Sequence, residues 1–558
     1  MEYIHRLSLL VLSVLVLTAC TNDGDGGNSV SGNEESADID GGNLVISTGN
    51  DIVSLDPHAS NELYSDQVRN TIYEGLVTQD ENFEIEPLLA EEWEQLDDLT
   101  WRFELREDVE FHDGSAFNAE VVKANLDRLV DPAVASPRLS LFEMISSVEV
   151  IDEHTVEITT EYPFAPLLSH LTHDGGGMIS KAVIDEDYRQ AIENSGAGYS
   201  VDEYYELREA GGESFEEAAD EISGGIGSVV DQNPVGTNYA MFESRSPGEN
   251  IVLNKNEDYW QDPMNLDSIT FKIVAETGAR MAELETGTSH IMFGYDSSNI
   301  ERIENHPETE AYNNSNVSIN FIGFNTQKAP LDDVRVRQAI SHAVDRHEII
   351  EGIFNGIGEV PNGPLIEGMA GDTGDIEGFE YDLEEAGRLM GEAGHEDGFE
   401  LSIITNDAPE RVDTAIYLQE ALAELNIIAT VEQIEWGTYL EEASSGEHDV
   451  FLLGWPNFTG DPDQALWPLF HSSMHGAQGN RTFYDNPELD ALLEAGREEK
   501  DEEARAEIYE EAQAVLVEDA PAIYFNEGVS MNAYRSEVEG LYIDDFIKPD
   551  FRNVTIGE

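Results

Sequence analysis

Cysteine is almost absent from this sequence, because Cys20 is the only one among 558 residues. The chain can therefore form neither an internal disulfide nor a cysteine-based metal cluster. Long apolar runs are also missing. The run from Leu7 to Leu17 is too short to cross a bilayer, which takes about 20 apolar residues, and no later segment approaches that length. The sequence thus predicts no membrane-spanning helix.

Basic residues are scarce: 28 lysines and arginines face 116 acidic residues, and the net charge is −88. Such a charge repels phosphates, which excludes a nucleic-acid partner. The 40% hydrophobic content and the 22 phenylalanines argue against a disordered acidic chain. We interpret the composition as that of a halophile, whose self-repulsion is screened at molar salt, where the Debye length is about 3 Å. A chain of this length is expected to bury a large core in more than one domain.

The N-terminus has the pattern of an export signal. The apolar run leads into Leu17-Thr18-Ala19-Cys20, and residues 1–19 resemble the signal peptide of a bacterial lipoprotein. We therefore predict that Cys20 is lipidated and becomes the first residue after cleavage. One departure is that Arg6 is the only basic residue ahead of the run, where several are usual. Residues 20–43, rich in glycine, serine and acid, predict a flexible linker.

Beyond this linker, β-like stretches alternate with helical ones, which predicts an α/β fold. Apolar residues four apart predict a helix over residues 61–76. The alternation over 148–159 predicts one strand, and the pattern over 332–354 predicts one helix.

Several motifs in this α/β chain form a family pattern. The most specific are Leu89-Ala-Glu-Glu-Trp93, the stretch Leu99 to Ser115, and Asn118 to Leu126. Supporting motifs occur in the same order: Leu55-Asp56-Pro57, Pro234-Val-Gly-Thr237, Tyr259-Trp260, residues 332–339 and residues 449–455. Over residues 44–558 the chain resembles the family 5 solute-binding proteins of ABC importers, which include dipeptide, oligopeptide, glutathione and nickel-chelate receptors. It departs from them at Asn238, where the family usually has glycine.

The resemblance implies an α/β, two-lobed, periplasmic-binding-protein-like (venus flytrap) fold made from a three-part chain, with an extra subdomain on lobe one. The implied boundaries are 44–73, 231–308 and 528–558 for lobe 1 (subdomain Ia), 74–230 for subdomain Ib, and 309–527 for lobe 2. Ligand contacts with both lobes would favour a closed form. That form would be recognised by the permease of an importer that also has ATPase subunits. We expect a monomer, anchored by its lipid to the outer face of the cytoplasmic membrane, which is the periplasmic side in a Gram-negative cell.

The stretch from Gly454 to His471 bears on the ligand. In the family's peptide receptors, an aspartate three residues after a tryptophan of this stretch pairs with the ligand's ammonium group, but Phe458 stands there in this chain. Asp461 and Asp463 are close enough in sequence to substitute for it. The stretch, with residues 479–484, looks more like the glutathione-binding branch. Glutathione has two carboxylates and one ammonium, so a cation such as Arg481 would suit it.

Other candidate ligand contacts come from both predicted lobes. Asn61 and Tyr64 open the first predicted helix, where free N–H groups can bind anions. The segment from His173 to Gly177 is rich in glycine and allows close approach of its backbone. The predicted ligand-binding residues are Asn61, Tyr64, His173, Gly175, Asn325, Trp455, Asn457, Phe458, Thr459, Asp461, Asp463 and Arg481.

Alternatives to a glutathione receptor remain open at this point. A general oligopeptide receptor fits the same family. His471 and His475, four residues apart, suit a metal or nickel-chelate receptor, although Gly476 favours a loop and no third ligand is apparent. An enzyme is not expected, since the sequence contains no HExxH, GxSxG or GxxxxGK[ST] motif. No cofactor is expected either.

Overall fold

The fold is organised around one ten-stranded mixed sheet and one smaller antiparallel sheet. The computed structural model describes residues 41–372, 376, 378–476 and 479–557. The predicted signal peptide, Cys20 and most of the predicted linker lie outside the described residues. The strands are β1 (Asn43–Thr48), β2 (Val77–Gln79), β3 (Ile85–Pro87), β4 (Ala90–Gln95), β5 (Thr100–Leu105), β6 (Ile145–Asp152), β7 (Thr155–Thr160), β8 (Ala240–Ser246), β9 (Asn250–Lys255), β10 (Ser268–Ile273), β11 (Ile291–Phe293), β12 (Thr309–Phe324), β13 (Glu400–Thr405), β14 (Ile428–Gln433), β15 (Val450–Pro456), β16 (Ala522–Arg535), β17 (Val538–Glu539), β18 (Tyr542–Ile543), β19 (Pro549–Asp550) and β20 (Thr555–Ile556).

Helices cover the faces of these sheets. Within the described part of the chain, every helix is too short or too polar to cross a bilayer. The helices are α1 (Leu63–Arg69), α2 (Ala119–Leu129), α3 (Leu167–Leu171), α4 (Lys181–Ser195), α5 (Val201–Ala210), α6 (Glu213–Ile222), α7 (Ser228–Gln232), α8 (Thr277–Thr286), α9 (Ile300–Glu304), α10 (Val334–Ala343), α11 (Arg346–Gly352), α12 (Leu383–Ala393), α13 (Pro409–Ala423), α14 (Trp436–Ser445), α15 (Pro462–Phe470), α16 (Pro487–Glu498) and α17 (Glu502–Asp519).

The order of strands in the large sheet is β14-β13-β15-β12-β16-β11-β1-β10-β9-β8. The long strands β12 and β16 pair antiparallel and connect its two halves. We call the half with β1–β11, α1–α9 and β17–β20 the first lobe, and the half with β13–β15 and α10–α17 the second lobe. The first lobe has one large apolar core and a small one around α8, β11 and α9, whereas the second lobe has a core on each face of its sheet. The molecule is thus the α/β protein that the sequence predicted.

The small sheet of the first lobe, β4-β5-β7-β6, corrects one prediction. Residues 148–159 form most of a hairpin, β6 and β7, and not one strand. The turn is made by Asp152, whose Oδ1 accepts the His154 N–H at 3.0 Å. Alternation continues through the turn because Val148 and Val156 bury the same face of the sheet against one core. The periodicity alone therefore did not reveal the reversal.

Helix α1 is shorter than the helix predicted over 61–76, because it ends at Arg69. The backbone carbonyls that follow bond to another segment. Asn238 donates its backbone N–H to the Ile72 oxygen at 3.0 Å, and its Nδ2 to the oxygens of Asn70 at 2.7 Å and Tyr73 at 3.3 Å. The asparagine that replaces the family's usual glycine therefore fastens this turn. The apolar residues four apart that predicted a longer helix are buried, although the segment after Arg69 is not helical.

Gly236 explains why the two segments can approach so closely. A Cβ at this position would lie only 2.0 Å from the carbonyl oxygen of Ile72. Only glycine can occupy that space.

The helix predicted over 332–354 is also interrupted. Helix α10 ends at Ala343 and α11 begins at Arg346. Asp345 causes the break, since its side chain accepts the N–H groups of His347 and Glu348 at 3.1 and 3.2 Å. Aspartate is a favoured N-cap because it satisfies the donors that a helix start leaves free. The break was therefore readable from the sequence and was missed.

A fully buried ion pair stabilises the first lobe. Arg128, at the end of α2, donates to Asp56 Oδ1 at 3.0 Å and to Asp187 Oδ2 at 3.3 Å, and its side chain is 0% exposed. Its Nη1 also lies 2.8 Å from His58 Nδ1. Burial alone would raise the pKa of Asp56, but Arg128 outweighs burial and the pKa is lowered. These contacts join the chain near residue 56 to two helices.

Candidate ligand-binding site

Three strands of the second lobe end at one edge of its sheet. Strand β13 runs parallel to both β14 and β15. Their last residues, Thr405, Gln433 and Pro456, therefore lie along the same edge. In open α/β sheets, ligands bind in the crevice outside the carboxyl ends of the strands. This edge is the natural place to look for a site.

The first lobe contacts the second lobe beside this edge. The Gln79 Nε2 donates to the carbonyl oxygen of Thr459 at 2.7 Å. The rings of His173 and Phe458 meet edge to face, with 6.2 Å between their centroids. Two of the predicted site residues, one from each lobe, are thus brought together.

Arg411 lies at this edge, in the first turn of α13. Its one hydrogen bond, from Nη1 to Asn406 Oδ1, is long at 3.4 Å. Burial lowers the pKa of its guanidinium. A Cβ on Gly454 would be 3.2 Å from Arg411 Nη2, so this glycine leaves the guanidinium room. A charge that is partly withdrawn from water and has no counter-charge is costly, which marks the half-buried Arg411 as a candidate anchor for an anion.

Two asparagines in line with Gly454, the glycine beside Arg411, have unused hydrogen-bonding groups. The sheet register aligns Gly454, Asn320 and Asn526 across three strands. Asn526 is only 3% exposed, and its Oδ1 has no donor within the described residues. The Asn320 Oδ1 lies 2.7 Å from where a Cβ of Gly454 would be, and its side chain makes no hydrogen bond in the described structure. Buried amides are normally satisfied, so this row is suited to a polar ligand.

Arg411 and Arg481 differ from the other basic side chains. Within the described residues, only a few arginines form no ion pair: Arg280, Arg337, Arg346, Arg411 and Arg481. The first three each bind several backbone carbonyl oxygens. The last two each keep one bond of 3.4 Å. In a chain so rich in acid, two unpaired arginines are unexpected unless a ligand supplies their partner.

Arg481 is a predicted site residue, and Arg411 was not predicted. Burial lowers the pKa of the Arg481 guanidinium as well. Both arginines act on Tyr439 of α14, whose pKa is raised by burial and partly lowered again by their two charges. The Arg411 guanidinium also lies 5.7 Å from the ring centroid of Trp436. Both charges therefore act on the same tyrosine, but the Arg481 carbonyl oxygen lies 2.9 Å from His448 Nε2, so the backbone of Arg481 is at the opposite end of the sheet from Arg411.

Asp461 and Asp463 are already neutralised. Arg505 donates to both oxygens of Asp461 at 2.8 and 2.7 Å, and Arg497 to both oxygens of Asp463 at 2.6 and 3.0 Å. Burial would raise the pKa of Asp461, but Arg505 overcomes it and the pKa is lowered. Asp461 Oδ2 also accepts the hydroxyl of Ser169, from the first lobe, at 3.1 Å. Neither carboxylate is left free for a ligand ammonium group.

Trp455, Asn457 and Thr459 shape the loop after β15. The Trp455 Nε1 donates to the Gln464 oxygen at 2.9 Å, and its ring is half-buried at the edge. Asn457 Nδ2 donates to the Asp461 oxygen at 2.7 Å and its Oδ1 accepts the Thr459 hydroxyl at 3.1 Å. These residues position the loop, and their side-chain amide and hydroxyl groups are occupied.

Asn325 lies at the opposite end of the sheet. Its Nδ2 donates to the oxygens of Gly446 at 2.8 Å and His448 at 3.1 Å, just before β15 begins. The structure therefore does not bring it to the edge where Arg411 lies. Its side chain closes a turn.

At the start of α1, which was predicted to bind an anion near Asn61 and Tyr64, two N–H groups are already bound within the protein. Glu62 is the N-cap, and its carboxylate accepts the N–H groups of Tyr64 and Ser65 at 3.0 and 3.1 Å. Asn61 is exposed and Tyr64 is half-buried. An anion at this position would meet a carboxylate first.

His173 is a rigid, neutral part of the first-lobe surface. The Gly175 N–H donates to its Nδ1 at 3.0 Å, and Arg138 Nη1 lies 3.1 Å from its Nε2. Burial and the charge of Arg138 hold the pKa of His173 well below its usual value. A Cβ on Gly175 would be 3.0 Å from Arg138 Cγ. The backbone of Gly175 therefore makes the close approach that was predicted, but its neighbour is an arginine of the same protein and not a ligand.

A cavity of about 470 Å³ extends into the first lobe beside His173 and Gln79. Its lining includes Asp174, Asp544 and Lys548. The Lys548 Nζ lies 2.9 Å from Asp174. Burial raises the pKa of Asp544 to about 6, and nearby acids contribute to the rise, although Lys548 acts to lower it. The cavity borders the contact between the lobes and can extend the site toward the first lobe.

His471 and His475 have separate partners. The His475 Nε2 lies 2.9 Å from the Tyr484 carbonyl oxygen, and the His471 ring stacks on Trp467 at 3.7 Å. Helix α15 ends at Phe470, so neither histidine is helical. No group of three or more His, Cys, Asp or Glu side chains that could hold a metal occurs among the residues described.

The two-lobed α/β fold with a polar edge between its lobes defines a periplasmic-type binding protein. The model of the bacterial extracellular solute-binding proteins, family 5 Middle, matches residues 84–476, and the chain belongs to this family. The family comprises extracytoplasmic solute-binding components of ABC importers, which are not enzymes. The predicted family and the predicted two-lobed fold are confirmed.

Individual relatives agree with this assignment. The chain is 28% identical over 459 residues to the glutathione-binding protein GsiB of Escherichia coli O1:K1 / APEC, which covers 81% of this chain and 82% of GsiB. It is similar in structure to the periplasmic binding protein DppA of Helicobacter pylori, solved with the peptide STSA, at a TM-score of 0.74 and 27% identity over 93% of this chain and 98% of DppA. HbpA2 from Haemophilus parasuis gives a TM-score of 0.77 at 25% identity, over 93% of this chain and all of HbpA2.

Proposed function

We propose that the chain is a lipid-anchored receptor that binds glutathione or a short peptide between its lobes and delivers it to an ABC permease. The observation that carries the proposal is Arg411, a half-buried guanidinium at the carboxyl edge of the second lobe that has no acidic partner among the described residues. A carboxylate is the group that best satisfies a guanidinium, through two parallel charge-assisted bonds. Every peptide has such a group at its C-terminus.

Arg481 favours glutathione over other short peptides. It is the second arginine in the second lobe with no acidic partner and only one long hydrogen bond. Glutathione has two carboxylates, so both guanidinium groups would find a partner. The name of GsiB supports the same ligand, whereas DppA with its bound tetrapeptide supports a general peptide receptor. Lipidation at Cys20 would keep the receptor at the membrane, as the sequence pattern suggests.

The first test is calorimetric titration of residues 21–558, which include the whole compact unit 38–558, in molar salt. The ligands are reduced glutathione, oxidised glutathione, a tripeptide mixture and nickel–histidine. Tight binding of a glutathione form supports the proposal as stated. Binding of unmodified peptides alone makes the chain a general peptide receptor. Binding of nickel–histidine alone would contradict both ligand classes and turn attention to His471 and His475.

Arg411→Gln is expected to weaken binding of the peptide-like ligand by about 10- to 100-fold, because a hydrogen bond between charged groups contributes roughly 1.5–3 kcal/mol. The thermal midpoint of the unliganded protein should not fall, since Arg411 has no internal ion pair to lose. Titration and thermal unfolding measure the two effects.

The matched control is Arg388→Gln. Arg388 lies on α12 of the same lobe, is exposed, and pairs with Glu385 and Glu392. Its substitution should leave ligand binding unchanged. Equal affinities in Arg411→Gln and the wild type would exclude Arg411 as the carboxylate anchor.

A further inference from the structure

Gly454 leaves a small space that Arg411 and Asn320 both border. A Cβ on this glycine would lie 2.7 Å from Asn320 Oδ1 and 3.2 Å from Arg411 Nη2. Within the described residues, neither of these two atoms has a hydrogen-bond partner. The positive charge of Arg411 favours this orientation of the Asn320 amide, with its oxygen and not its nitrogen toward the space. An acceptor and a donor, both unused, thus meet at one point.

This space lies on the face of the sheet that α13 covers. Ile322 and Leu452 belong to the apolar core on that face, together with residues of α13. Asn320 is two residues from Ile322, and Gly454 is two residues from Leu452. Side chains two residues apart in a strand point to the same face. The space is therefore the polar continuation of that core toward the carboxyl edge of the lobe.

Two buried side chains on the same face give a second, independent sign of a polar ligand. Asn526, opposite Asn320 on β16, is 3% exposed, and Thr405, at the end of β13, is 0% exposed. Thr405 follows two residues after Ile403, which belongs to the same core. Neither the Asn526 Oδ1 nor the Thr405 Oγ1 has a hydrogen-bond partner in the described part of the chain. Buried polar atoms are normally satisfied, so this face is suited to a ligand with polar groups.

The chemistry of the space requires an anion and an N–H donor close together. A guanidinium has only donors, so Arg411 needs acceptors, whereas the Asn320 Oδ1 needs a donor. The last residue of a peptide has both, because its N–H and its carboxylate are attached to the same carbon atom. A carboxylate without a neighbouring N–H would bring its oxygens toward the Asn320 oxygen and leave that acceptor unsatisfied.

We propose, resting on the function proposed above, that Asn320 accepts the N–H of the ligand's C-terminal residue while Arg411 binds the carboxylate of the same residue. Asn320 is then a specificity-determining residue, which selects peptides with a free C-terminal residue over simple carboxylates. Glutathione meets this requirement through its glycine. The inference also gives Gly454 a role, since any side chain at that position would fill the space in which the ligand residue lies.

The first test compares ligands that differ only in this N–H. Reduced glutathione and triglycine are titrated beside analogues in which an ester oxygen replaces the N–H of the last residue. The replacement should weaken binding to the wild type by about 3- to 10-fold, the usual effect of one hydrogen bond. In Asn320→Ala the same replacement should change the affinity by less than about twofold, because no acceptor remains to distinguish the two forms.

The outcomes of this test separate the inference from the proposed function. If the amide and ester forms bind the wild type equally, or if Asn320→Ala distinguishes them as well as the wild type does, the inference is overturned and the peptide-receptor function stands. If neither glutathione nor triglycine binds the wild type, the proposed function fails and the inference fails with it.

Gly454→Ala tests the position of the ligand. The added methyl group would occupy the space, so binding of both amide probes should weaken by at least about tenfold. The thermal midpoint without ligand should stay near that of the wild type, because the nearest atoms are the ends of flexible side chains. The matched control is Gly387→Ala on α12 of the same lobe, where a Cβ has no neighbour within 4 Å in the described structure.

The control should bind both probes as the wild type does. Wild-type affinity in Gly454→Ala would overturn the proposal, since the ligand would then bind elsewhere. If the substitution lowers the thermal midpoint instead, the ester comparison in Asn320→Ala decides alone.

Discussion

Replacing Arg128 by leucine is expected to lower the free energy of unfolding by about 3–5 kcal/mol, the usual cost of removing one partner from a buried ion pair. Arg128 is wholly buried and is the cation that pairs with Asp56 and Asp187. The substitution leaves both carboxylates in the core without a counter-charge. Their protonation would then be favoured, so the variant should lose more stability at pH 8 than at pH 5. Denaturant unfolding in molar salt, followed by tryptophan fluorescence, measures the loss.

Arg189→Leu is the control for this variant. Arg189 also pairs with two acids, Glu186 and Glu193, but on the exposed face of α4. Exposed pairs contribute little, so the unfolding midpoint should hardly move. An Arg128 variant as stable as this control would show that the buried pair is not needed for the stability of the first lobe.

Arg505→Met is expected to have a loss of stability of the same order, about 3–5 kcal/mol, because it leaves Asp461 buried without its guanidinium. Asp461→Asn should also destabilise the unliganded protein, since Arg505 then loses its partner. Both effects are measured by thermal unfolding without ligand, with Lys500→Met as the control because its pair with Asp98 is exposed.

This second experiment distinguishes two roles of Asp461. If the carboxylate were the anchor of a ligand ammonium, Asp461→Asn would abolish binding while the unfolding midpoint of the free protein stayed the same or rose. We expect instead that Asp461→Asn lowers the unfolding midpoint of the protein without ligand. An unchanged midpoint in both variants would contradict the structural role that the two hydrogen bonds from Arg505 imply.

Local signals in the sequence predicted much of the fold. The start of α2 was readable from the sequence, because its N-cap, Asn118, accepts the N–H of Val121, only three residues further along the chain. The length of α1 was not, because its end is set by Asn238, which is about 170 residues away. The apolar period over 61–76 was real, but it reported burial and not helical geometry. Motif order, by contrast, identified the family without any of these details.

The candidate site was less predictable for the same physical reason. Spacing made Asp461 and Asp463 attractive, yet their partners Arg505 and Arg497 come from helices far along the chain. Arg411 was missed because nothing near it in sequence indicates that its charge lacks a partner. Only the tertiary structure shows which of the few arginines are already paired. In a chain with so many acidic residues, the arginines that have no acidic partner are the ones that indicate a ligand-binding site.

The register of β12 and β16 has a mechanical consequence. Their pairing shifts between Ser315 and Ile319, next to the strand positions of Trp455 and Glu527. Such irregularities weaken the ladder locally and let a strand pair bend. The ligand would therefore bind beside the two strands that connect the lobes. A small rotation of one lobe about these strands moves the outer rims of the lobes by a large distance. A permease that contacts those rims would then distinguish the ligand-bound protein from the free one without touching the ligand.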